Sequence, residues 1–146
     1  MRAWQKYSLY ALILGVIEVL NIVLIANHDR HVGGAISLVI ELGFLALTIV
    51  GGRAVKVDGG RPVPTGALMG GLYGVVESIP GLFTKFAVSS FTGTNVTKAQ
   101  AVHYAQFANS ASGHLSALVG NGIVYAIVGL IFAAVGGASI RKPRNQ

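Results

Sequence analysis

Four long apolar stretches, each interrupted by very few polar residues, organise this 146-residue chain. A helix rises 1.5 Å per residue, so about 20 residues cross a hydrocarbon core about 30 Å thick. The stretches at about 7–27, 33–52, 65–88 and 114–140 meet that length. Within each, a stripe recurs in alternating steps of four and three residues. It reads Ala11, Gly15, Glu18, Ile22, Ile25, then Gly34, Ser37, Glu41, Phe44, Thr48. The third and fourth read Gly70, Gly74, Glu77, Gly81, Thr84 and Gly122, Ala126, Gly129, Ala133, Gly136. Such spacing keeps one face toward neighbouring helices. The pattern predicts an all-α integral membrane protein, four transmembrane helices in an up-down bundle forming one domain over 1–146.

The connections differ in character. Residues 27–32 read as a tight turn, and 51–64 as a Gly- and Pro-rich loop that ends with Pro64 at a helix start. The longest connection, 89–113, is predicted to carry a short helix capped by Thr97 and running to about Asn109. The first stretch resembles a signal sequence in its basic start, yet it is too long and carries Glu18 and Asn21, so a retained spanning helix is expected. Gly15-Val16-Ile17-Glu18 matches Gly74-Val75-Val76-Glu77, and Leu42-Gly43-Phe44-Leu45 loosely matches Val128-Gly129-Leu130-Ile131. Read as a repeat, these make a duplicated helical hairpin.

Composition narrows the class further. The chain is 53% hydrophobic and only 11% charged, with 20 glycines, and its mean hydropathy is +0.65; a soluble domain of this size is far more polar. Cysteine is absent, which removes disulfides, thiolate metal ligands and thiol redox chemistry. The net charge of +6 does not point to nucleic acid, because the basic residues cluster at the ends of apolar segments. One side would hold Arg2, Lys6, Arg53, Lys56, Arg61, Arg141, Lys142 and Arg144, and the other Arg30, Lys85 and Lys98. By the positive-inside rule both termini are expected to be cytoplasmic, in a multi-pass protein of the cell membrane.

All three glutamates, Glu18, Glu41 and Glu77, fall inside the apolar stretches. A charge at that depth costs about 3 kcal/mol on insertion scales and marks a functional position by default. The helical rise puts them about 13, 12 and 16 Å below the outer boundary, with Asn121 at about 10 Å. The expected binding layer therefore comprises Glu18, Glu41 and Glu77 with Asn21, Ser37 and Asn121. Like charges gathered in low dielectric must share a proton or a cation. Pro80 and Gly81 form the expected hinge, since Pro80 removes its own amide donor and frees the Val76 carbonyl beside Glu77. The competing reading makes the glutamates structural glue between helices.

Other chemistry is sparse. His28 and His31, flanking Asp29, are the weak candidates for a metal, and tight structural sites need four ligands. No phosphate-binding loop, zinc-protease motif or deep haem ligand pair occurs, so no cofactor is expected. A mid-membrane glutamate in the first of four helices, here Glu18, resembles the small multidrug transporters. Glu41, Glu77 and the long outer connection depart from that pattern, and no residue role is carried over. The leading expectation is a small membrane transporter or channel component binding a proton, cation or small cationic solute. A non-catalytic subunit of a larger membrane complex is the second, and a lipid- or quinone-handling enzyme using a glutamate as acid or base the third. The small-residue stripes suit a homo-oligomer as well as contacts within one chain.

Overall fold

The computed structural model describes residues 1–26, 28–93 and 95–140, and of Arg30 the backbone only. These residues form five α-helices and no strand: α1 (Ala3–Asn21), α2 (Arg30–Val57), α3 (Pro62–Glu77), α4 (Lys98–Ala108) and α5 (Ala111–Ala138). Four segments are long and apolar enough to cross a membrane: Ala3–Ala26, His31–Val57, Pro62–Phe83 and Ala111–Ala138. A π-helical turn, Ile22–Ala26, continues α1. Leu20, Val39, Ile123 and many other large apolar side chains stay exposed on the outside of the helices, as a lipid-facing surface requires.

Helix ends follow local chemistry. Asp29 starts α2 by accepting the His31 and Val32 amides at 3.0 and 3.1 Å, satisfying donors that have no partner within the helix. Its far end lies at Val57 rather than near residue 52, because Gly51 and Gly52 do not break the helix. Both are packing positions: a Cβ at Gly52 would overlap the backbone of Ala133, and one at Gly51 would press on Tyr7. Tight packing outweighs the roughly 1 kcal/mol that glycine costs inside a helix. Pro62 occupies the first turn of α3, where a missing amide is harmless, and the link from Asp58 to Arg61 turns at Gly59 with φ 74°.

The largest departure from the expected boundaries is in the third helix. The α-helix stops at Glu77 and gives way to a 3-10 turn, Ile79–Phe83, instead of continuing to residue 88. A proline ring at 80 clashes with the carbonyl four residues earlier, at Val76, so the α-helical ladder ends there. The connection to α5 therefore begins at Thr84. It contains a second 3-10 turn, Val88–Phe91, and α4, which Thr97 and Gln100 cap reciprocally. Asn109, just after α4, pins this connection: its carboxamide accepts from the Phe86 amide and donates to the Phe86 carbonyl, both at 2.8 Å.

The tightest helix contact joins α3 and α5. A Cβ at Gly66 would overlap the Gly129 carbonyl, one at Gly70 the Tyr125 carbonyl, and one at Gly74 would crowd the Asn121 carbonyl. Glycine at these three positions lets two main chains meet directly. Helix α1 packs on α2 and α3, and α2 packs on α5. Phe44, Met69 and Tyr73 are fully buried where these helices converge, beside Ala11 and Ile40. At the opposite extreme Gly34 borders open space and is exposed, although it belongs to the stripe expected to face inward.

Candidate functional site

Two polar groups join the long apolar helices. The first joins α1 to α2. Glu18 is buried, and its Oε1 accepts a 2.5 Å hydrogen bond from the Ser37 hydroxyl. Ser37 Oγ in turn accepts from Asn21 Nδ2 at 2.9 Å, and the other Asn21 amide hydrogen goes to the Gly33 carbonyl at 3.0 Å. Three residues separate Glu18 from Asn21 and four separate Gly33 from Ser37, so each helix presents both partners on one face. Even so, Glu18 Oε2 and Asn21 Oδ1 are buried without a hydrogen-bond partner.

The second group joins α2, α3 and α5. Tyr125 donates its hydroxyl to Glu41 Oε1 at 3.2 Å and also interacts with Glu77. One phenol, with a single proton to donate, is thus within reach of two carboxylates from different helices. Glu77 Oε2 and the Tyr73 hydroxyl are buried and unpartnered. Tyr73 lies within electrostatic reach of Glu77, Glu18 and Glu41 alike, which links the two groups. The three carboxylates do not close on one point, however, since no three His, Asp or Glu side chains among the described residues are grouped as metal ligands.

An aromatic layer lies one helical turn away. Phe44 follows Glu41 by three residues, Tyr73 precedes Glu77 by four, and Tyr125 follows Asn121 by four. All three displacements point toward the Asp58–Arg61 end, given that Gly137 at the end of α5 packs on Pro62. The rings of Phe44 and Tyr73 stack at 4.4 Å and 16°, and the Tyr125 ring meets Tyr73 nearly edge-on at 4.9 Å. Phe44 and Tyr73 have no exposed surface. The polar layer accordingly has a closed aromatic wall on that side.

Several expected site residues sit elsewhere. Glu41 is exposed rather than interior, because it stands at the border between α2 and α5, where Tyr125 reaches it. Asn121 is also exposed and bonds to no carboxylate; its Nδ2 donates to Ser78 Oγ at 3.0 Å, and Ser78 donates to the Gly74 carbonyl at 2.6 Å. Pro80 and Gly81 lie in the 3-10 turn beyond α3, so they end a helix instead of kinking one. His28 and His31 are exposed at the turn between α1 and α2. Tyr73, Tyr125 and Phe44 were not anticipated as site residues. Their spacing of three or four from Glu77, Asn121 and Glu41 is the signal that marks them.

No known family model matches the chain, and neither a curated protein nor a solved structure shows significant similarity to it. Its chemistry must be read from its own side chains. Buried carboxylate oxygens without a donor are costly unless a proton or a cation supplies the missing partner. Two such oxygens belong to Glu18 and Glu77, both within electrostatic reach of Tyr73.

Proposed function

We propose that the protein is a small multi-pass transporter or channel component of the cell membrane, an up-down bundle with both termini cytoplasmic. It binds a proton, a cation or a small cationic solute at the Glu18, Glu41 and Glu77 layer. The observation that carries this reading is the pair of buried, unpartnered carboxylate oxygens, Glu18 Oε2 and Glu77 Oε2. Each needs positive charge or a proton beside it, and electrostatic coupling among the three glutamates makes occupancy at one site change the others. Protonation then competes with cation binding, which couples release to pH.

The test is cation binding or uptake by purified, reconstituted protein with each glutamate changed to glutamine. Glu77→Gln is expected to abolish the pH-dependent component, and Glu41→Gln to weaken it. Full activity with unchanged pH dependence in all three variants overturns the proposal. A structural role is favoured by one observation, the Ser37 and Asn21 hydrogen bonds that tie Glu18 between α1 and α2. Under that reading Glu18→Gln lowers thermal stability and leaves binding intact.

A further inference from the structure

We infer that the carboxylate layer is reached by water and ions from the α4 side only, through a cavity under α4 and along one face of α5. This inference rests on the functional reading above and adds the route to the site. The cavity holds about 430 Å³ and is lined by Ser78, Phe86, Phe91, Phe107, His114 and Ala117 among others. Asn109 fixes its roof by holding the Phe86 backbone against the end of α4. Its wall is mainly apolar, and Ser78, His114 and Ser116 are the lining residues that carry hydrogen-bonding side chains.

From the cavity, one stripe of α5 runs inward as His114, Ala117, Asn121 and Tyr125, in steps of three, four and four. Such steps keep the four side chains on a single helix face. Asn121 is exposed and contacts the cavity residue Ser78; one turn further, Tyr125 reaches Glu41 and Glu77. A Cβ at Gly81, which lines the cavity, would meet nothing within 4 Å, so space is open there. Three of the four stripe residues are polar, and they lead from the cavity wall at His114 to the tyrosine that reaches Glu41.

Beyond Tyr125 the situation reverses. Phe44, Tyr73 and, a turn further, Thr48 have no exposed surface. Main chains of α2 and α5 are in contact there, Gly52 against Ala133 and Gly136 against Ile49. Continuous packing of this kind leaves no path for water.

Absence of cysteine makes the test direct. Single substitutions Ser112→Cys, Ala117→Cys, Asn121→Cys, Thr48→Cys and Lys56→Cys are introduced in the full chain, reconstituted in vesicles, and treated from either side with a charged, membrane-impermeant methanethiosulfonate. Ser112 and Lys56, both exposed, mark the two sides. Labelling of Ala117→Cys and Asn121→Cys is expected from the Ser112 side and is lost from the Lys56 side, while Thr48→Cys is labelled from neither. Ala117 is exposed, so its variant reports even where Asn121→Cys folds poorly. Labelling of position 117 or 121 from the Lys56 side overturns the inference. So does labelling only by an apolar maleimide, which would indicate an opening to lipid. Accessibility is scored without reference to cation binding, so this route and the carboxylate reading can fail separately.

Discussion

Ser37 shows how one hydroxyl decides the state of two costly groups. It donates to Glu18 and accepts from Asn21, so removing it strands a buried carboxylate oxygen and a buried amide hydrogen together. Ser37→Ala is expected to destabilise the protein by about 1–3 kcal/mol, the cost of an unsatisfied buried polar group, read as a lower unfolding midpoint in detergent. An unchanged midpoint would mean that neither Glu18 nor Asn21 depends on this hydroxyl. The stripe spacing already placed Glu18 and Ser37 on facing stripes of their helices, with Asn21 beside Glu18. What it left open was pairing across helices: nothing in the local pattern says that a tyrosine on α5 bridges to Glu41, because that contact spans 84 residues of sequence. Partnerless atoms such as Tyr73 Oη are likewise visible only in three dimensions.

At the scale of helices, backbone contact between α3 and α5 depends on residues without side chains. Gly70→Val drives a branched side chain into the Tyr125 carbonyl and is expected to cost more than the 1–3 kcal/mol typical of overpacking. Gly34→Ala, in open space, should be neutral or slightly stabilising by helix propensity. Thermal unfolding of both variants checks the contrast, and equal midpoints would contradict the close approach. Helix existence was legible from hydropathy because about 20 apolar residues leave few alternatives in lipid. Helix ends were less so. Gly51 and Gly52 look like breakers but are contact points, whereas Pro80 looks like a kink but ends α3, and these outcomes depend on what packs nearby.

For the whole molecule, the connection between α3 and α5 carries, among its described residues, a 3-10 turn and the helix α4. Thr97 announces α4 in the sequence, yet the tie from Asn109 to Phe86 joins residues 23 apart and is not signalled by any local motif. Asn109→Ala removes both hydrogen bonds, and the amide of Phe86 is predicted to lose protection in hydrogen exchange, by about tenfold for each 1.4 kcal/mol released. Unaltered exchange there would mean that packing of Phe86 on Phe91 at 6.1 Å holds the connection alone.

The glycine contacts of α3 and α5 also constrain motion. Two helices whose main chains touch at Gly66, Gly70 and Gly74 have no compliant side chains between them, so they act as a single rigid body. Helix α2 is held to α5 in the same way, Gly52 against Ala133 and Gly136 against Ile49. Helices α2, α3 and α5 therefore form one stiff unit in which Glu41, Glu77 and Tyr125 keep their relative positions. A change in how cations are held there must come from side-chain rotation and not from sliding of these helices.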